Sequence, residues 1–288
     1  MREVVARHWP EYLFEAGGLG LFMLSACVFA TLFEHPTSPV RQAVADAMLR
    51  RVPMGPATRL TAIGLIYSPF GQRSGAHFNP GVTSTFFRLG KVARWDYALY
   101  MVAQCVGGLL GIAVAAAILA DRLGHPAVRY VATVPGADGL VVAFLAEATI
   151  SFGLMLVVLI VSNTPRLARY TGLCAGALVA TYIVLEAPFS GMSMNPARTF
   201  ASAVPSGTWP LLWLYIAAPL SGMLLAAESY LRLVRRAGPT CAKLHHPPHD
   251  PRCIFRCGYR RPWTVDRRQP AVTNAPPRRL YSLDERPR

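Results

Sequence analysis

Two asparagine–proline steps stand in matching boxes of this chain, Ser74-Gly75-Ala76-His77-Phe78-Asn79-Pro80-Gly81-Val82-Thr83 and Ser190-Gly191-Met192-Ser193-Met194-Asn195-Pro196-Ala197-Arg198-Thr199. Asparagine is a strong helix N-cap and proline suits the first helical position. Each step therefore predicts a short helix, from Asn79 to about Arg88 and from Asn195 to about Ala203. Both starts lie among apolar segments. A helix that begins there leaves backbone N–H groups that hydrocarbon cannot satisfy, so they must face a cavity or pore. Two such N-termini give that cavity a positive potential. Arg198, one turn into the second helix, adds a full charge and raises the barrier to cations and protons.

Other residue sets could do different chemistry. Glu15 and Glu147 each lie inside an apolar run, one per box. Buried carboxylates of this kind mark either a proton-coupled secondary transporter of a small solute or a structural brace. No intramembrane Lys or Asp accompanies them, which favours the brace. His77 reads as structural, bonded to a loop carbonyl. Near the C-terminus, Cys241-x3-His245-His246-x6-Cys253-x3-Cys257 gathers thiols and imidazoles. Cys241, His245, Cys253 and Cys257 could close a tetrahedral zinc or iron site. The plainer reading is free thiols or lipid attachment sites beside Arg235 and Arg236. No nucleophile motif is present, so no enzyme is expected.

The elements that carry these residues follow from composition and periodicity. With 53% hydrophobic and 15% charged residues, the chain is too apolar for a soluble domain. Its net charge of +14 is concentrated between apolar segments and in the tail, which suits an anionic lipid surface rather than nucleic acid. Apolar segments run over Tyr12 to Phe33, Ala57 to Phe70, Trp95 to Ala120, Leu140 to Val161, Tyr170 to Pro188 and Trp209 to Leu233. The second and fifth are short for a span and sit before the two boxes, a sign of a site at a repeat interface.

The repeat extends further. Glu15-Ala-Gly-Gly-Leu-Gly-Leu-Phe-Met-Leu matches Glu147-Ala-Thr-Ile-Ser-Phe-Gly-Leu-Met-Leu, and Gln104-Cys-Val-Gly-Gly matches Pro219-Leu-Ser-Gly-Met. Each half predicts three spans and one half-helix, so the second half is inverted and the half-helices meet near the midplane. The expected fold is an all-α membrane protein, with six transmembrane helices plus two re-entrant half-helices in an inverted repeat. Residues 1–11 form an N-terminal arm and 12–234 the channel domain, with halves at about 12–120 and 140–234. Residues 235–288 form a basic Cys/His-containing tail, disordered beyond about Arg261. Lys and Arg favour the face with both termini, predicting a multi-pass protein of the cell membrane with cytoplasmic termini and outer loops at Pro36 to Pro56 and Asp121 to Asp138.

The paired boxes and glutamates resemble the aquaporin, or major intrinsic protein, family from roughly Tyr12 to Leu233. The resemblance implies a homotetramer of passive channels for water or small uncharged solutes such as glycerol, urea or ammonia, needing no cofactor for transport. It implies that the Asn79 and Asn195 amides donate to a permeating oxygen within the motifs Asn79-Pro80-Gly81 and Asn195-Pro196-Ala197. It makes Glu15 and Glu147 braces, with Gln104 in the same framework. It also implies a filter of Arg59, Ile183, Met192 and Arg198. Arg59 stands where water-selective members carry an aromatic, and Ile183 where they carry histidine. Thr199 replaces the aspartate typical of glycerol facilitators, while Tyr215 matches water channels and Ile216 does not. Substrate selectivity is left mixed.

Overall fold

The computed structural model describes residues 2–234, 238–246 and 253–259. Among these, five helical stretches are long and apolar enough to cross a membrane: Arg2–Ala43, Arg94–Leu119, Gly139–Ser162, Ala168–Leu185 and Trp209–Leu233. In chain order the helices of the first half are α1 (Arg2–Glu34), α2 (Pro39–Ala43), α3 (Ala47–Tyr67), α4 (Pro69–Ser74), α5 (Pro80–Arg88) and α6 (Arg94–Leu119). After α7 (Asp121–Gly124) the order returns as α8 (Gly139–Ser162), α9 (Thr171–Leu185), α10 (Ala187–Ser190), α11 (Pro196–Ser206) and α12 (Leu212–Leu233). The protein is an all-α, multi-pass membrane protein of six long helices and two half-helices, α5 and α11.

The sixth long helix, α3, carries Arg50, Arg51 and Arg59 and is the least apolar of the set. It starts well before the Ala57 expected from hydropathy, so Pro36 to Pro56 is not one outer loop. The Asp46 carboxylate accepts from Leu49 N at 2.9 Å and caps the helix start. Arg50 pairs with Glu34 at 2.8 Å, so a charge that hydropathy counts against a span is matched by the end of α1. At the other end, α1 extends back to Arg2. His8 and Tyr12 reach Asp96 of α6 at 2.8 and 2.6 Å, and Glu11 pairs with Arg73 at 3.0 Å.

The two halves pack alike. α1 lies along α6 and α8 along α12, α3 crosses α9, and the half-helices α5 and α11 meet one another while resting on α6 and α12. Two glycines set the closeness of the first pairs. A Cβ on Gly107 would fall 2.0 Å from Ala16 O, and one on Gly222 would fall 2.1 Å from Ala148 O. Ala16 and Ala148 directly follow the two glutamates, so the closest helix contacts hold the carboxylates beside the boxes.

Residues 238–246 and 253–259 are not a separate appendage. Cys241, Ala242, Leu244 and Phe255 are buried in the same core cluster as Tyr12, Phe86 and Tyr230. The stretch beyond Arg261, expected to be disordered, lies outside the described residues.

Candidate pore site

Both boxes use one backbone device. Gly75 and Gly191 end α4 and α10 in the left-handed region at φ 97° and 77°. Ala76 and Phe78 then adopt φ 56° and 46°, and Met192 and Met194 adopt 55° and 54°. For L-residues that region costs roughly 1–2 kcal/mol each, so these loops need fastening. Glu15, fully buried, accepts from Ser74 Oγ, His77 N, Phe78 N and Gln104 Nε2 at 2.9, 3.0, 2.7 and 2.8 Å. Glu147, also fully buried, accepts from Ser190 Oγ, Ser193 N and Met194 N at 2.8, 2.5 and 2.8 Å. Seven donors thus converge on the two carboxylates, and all but Gln104 Nε2 come from the boxes.

The loops turn Asn79 and Asn195 toward each other. Each side-chain oxygen caps its own half-helix, Asn79 Oδ1 accepting from Gly81 N and Asn195 Oδ1 from Ala197 N and Arg198 N. Each amide nitrogen donates across the pseudo-repeat: Asn79 Nδ2 to Met194 O and Asn195 Nδ2 to Phe78 O, both at 2.7 Å. An amide nitrogen carries two protons, so one remains on each asparagine. Both asparagines line a chamber of about 110 Å³, together with His77, Val158, Val179 and Leu244.

A second chamber of about 350 Å³ lies on the side away from the tail. Arg59, Ile183, Met192 and Arg198 all line it. Arg59 and Phe22 also line the inner chamber, which puts them at the junction of the two. The Arg59 guanidinium lies 5.0 Å over the Phe22 ring, and its Nε is buried without a hydrogen-bond partner among the described residues. Arg198 Nη1 donates to Thr133 Oγ1, which fixes its head group against the loop before α8.

The boxes, the braces and all of the chamber lining except Leu244 fall in the segment that the Major intrinsic protein family profile matches, residues 15–230. The chain belongs to that family. Curated relatives include aquaporin NIP1-3 of Oryza sativa, 36% identical over 59% of this chain and 58% of that protein, and aquaporin NIP3-1 of Arabidopsis thaliana, 32% identical over 67% and 64%. The chain thus spans about three-fifths of the length of the curated relatives it matches. Among solved structures, the X-ray structure of the aquaglyceroporin from Plasmodium falciparum superposes with a TM-score of 0.65 at 18% identity, over 79% of this chain and 97% of that one. At that identity the likeness establishes the fold.

Within this family framework, Tyr100, Phe22 and Thr133 were not singled out from the sequence, and Tyr215 was noted only for its likeness to water channels. Tyr100 OH donates to Ser74 O and Tyr215 OH to Ser190 O, and Phe22 and Thr133 support the two arginines. The tyrosines were findable: each stands four residues before a member of the matched pair Gln104 and Pro219. Gln104 itself bridges Glu15 and Thr83. His77 is sandwiched between Phe86 and Phe255, with both ring pairs at 5.3 Å. Its Nε2 meets Ala242 O at 2.8 Å, and since a carbonyl only accepts, Nε2 carries the proton and Nδ1 faces Thr83 Oγ1.

The tail ligand set differs by one residue from the expected one. Cys241, Cys253 and Cys257 gather with His246, all four ligand atoms within 4.8 Å of one another. His245 instead packs its ring on Tyr67 at 5.1 Å. Neighbouring side chains in a non-helical segment leave on opposite sides, which separates the two histidines. Hydrogen bonding to Cys241 holds Cys253 and Cys257 below the ordinary thiol range and pushes Cys241 above it. Arg235 and Arg236 lie outside the described residues.

Proposed function

We propose that this chain is a passive channel for water and small uncharged solutes such as glycerol, urea or ammonia, and that it excludes ions and protons. The observation that carries this reading is the pair Asn79 and Asn195. Each caps a half-helix, each spends one amide proton on the opposite loop, and both line one chamber. The remaining amide protons and two helix N-termini would receive a solute oxygen, while cations would meet a positive centre. Arg59 and Arg198 add charge at the outer chamber, beside the apolar Ile183 and Met192. A constriction of two guanidinium groups and two apolar side chains suits a polar solute with an apolar edge at least as well as water.

The competing mechanism, proton coupling through Glu15 and Glu147, is disfavoured because both carboxylates are fully buried and committed to loop donors. The reading extends to a homotetramer in a cell membrane with the tail on the cytoplasmic face. Exposed apolar residues such as Leu110, Val114 and Leu145 would meet lipid or neighbouring subunits. The test is stopped-flow volume change of proteoliposomes under water, glycerol and urea gradients, with and without a pH gradient. We expect dissipative flux of at least one solute, indifferent to the pH gradient. Solute accumulation driven by protons would overturn the channel in favour of a transporter.

A further inference from the structure

Beyond α12, residues 238–246 and 253–259 lie across the tail-side end of the inner chamber. Thr240 N donates to Asn163 Oδ1 at 2.6 Å, just past α8, and Lys243 Nζ donates to Gln72 O at 2.8 Å. Leu244 N donates to Gly75 O at 3.1 Å and Arg256 N to Lys91 O at 2.9 Å. Ala242 O accepts from His77, Phe255 covers the His77 ring, and Leu244 lines the chamber itself. Gly75 has no room for a side chain here, because a Cβ would lie 2.7 Å from the Phe255 ring. These residues floor the chamber.

Among the described residues this floor contains neither helix nor strand. A short segment without helix or strand has no backbone ladder of its own, so a cross-link between its two stretches would add to the contacts that hold its shape. The four tail ligands supply the means. Cys241 Sγ and Cys253 Sγ stand 3.5 Å apart, and Cys257 Sγ and His246 Nε2 stand 3.3 Å apart. A tetrahedral zinc ion with Zn–S of about 2.3 Å and Zn–N of about 2.0 Å needs ligand atoms about 3.5–3.8 Å apart. Three thiolates, one neutral imidazole and Zn²⁺ carry one net negative charge, and buried Lys243 acts electrostatically on this cluster. A Cys241–Cys253 disulfide would leave Cys257 and His246 without use.

We propose that Cys241, His246, Cys253 and Cys257 bind one structural zinc ion, and that this zinc holds a cap restricting the tail-side mouth of the pore. The second half of this statement rests on the channel reading, while the first does not. The full chain, purified without a metal-affinity step, carries one zinc per chain by elemental analysis, and Cys253→Ser and Cys257→Ser each lose it. On reconstituted wild-type protein, a membrane-permeant zinc chelator raises solute flux about threefold or more, as the open population grows, and stoichiometric zinc restores the original rate. Because the chelator acts on protein already folded in the bilayer, this arm holds even if the serine variants fail to fold.

Absence of zinc, iron in its place, or a Cys241–Cys253 disulfide in non-reduced peptide maps overturns the metal site. Zinc removal with unchanged or reduced flux overturns the cap. Absence of flux in every preparation overturns the channel reading and the cap with it, and zinc stoichiometry then judges the site alone.

Discussion

Tyr100 and Tyr215 are one device used twice: each phenol donates to the carbonyl of the serine that opens its box, Ser74 at 2.7 Å and Ser190 at 2.5 Å. Both tyrosines are fully buried, so neither carbonyl has water as a fallback. Tyr100→Phe and Tyr215→Phe should each destabilise the protein by about 1–3 kcal/mol, the cost of an orphaned buried acceptor. Thermal melts in detergent measure this. Equal losses from the two variants are expected because the two sites are built alike.

The braces predict a different pattern. Glu15→Gln places an amide where Glu15 now accepts from two backbone N–H groups, Ser74 Oγ and Gln104 Nε2, so at least one donor would face another donor. A loss of about 2–3 kcal/mol is expected for a charged hydrogen-bond network of this kind. Whatever fraction remains folded should still conduct without regard to a pH gradient, read from flux normalised to folded protein.

The junction of the chambers makes Arg59 the residue to change for selectivity. Arg59→Val removes a guanidinium that lines both chambers and rests on Phe22. Glycerol permeability should rise relative to water by roughly fivefold, equivalent to lowering its barrier by about 1 kcal/mol. Parallel stopped-flow traces of the two solutes give the ratio. An unchanged ratio would remove Arg59 from the filter.

Close helix contact gives a fourth expectation. Gly222→Ala puts a methyl group 2.1 Å from Ala148 O, a backbone atom that moves only if α8 and α12 separate. Overpacking of this kind costs about 1–3 kcal/mol, and here it also shifts Glu147 away from its loop. Melting temperature and flux should fall together. Gly207→Ala serves as a comparison for strain alone, since Gly207 has φ 71° but nothing within 4 Å of its Cβ position.

Much of this arrangement was legible because the chain states it twice. Asn79 and Asn195, Glu15 and Glu147, and the glycines after Gln104 and Pro219 recur at matching spacing, and a doubled signal outweighs weak local propensities. The start of α3 was hidden because hydropathy scores Arg50 as a lone charge, whereas Glu34, sixteen residues away, matches it in space. The choice between His245 and His246 depends on which side of an irregular strand of chain each leaves, and ligand counting carries no such information. Least legible was the seating of Ala242 and Phe255 on His77, since the partners lie at opposite ends of the sequence and follow no repeat.

The Leu244 contact redraws the outline of the working unit. The family match ends at residue 230, yet a side chain fourteen positions later forms part of the inner lining. Cutting the chain after α12 would therefore not trim an ornament. It would strip the plaster from one wall of the inner chamber, bare one face of the His77 ring and remove its carbonyl partner. Comparisons of conductance with relatives aligned only over the shared helices would leave this part of the wall out of account.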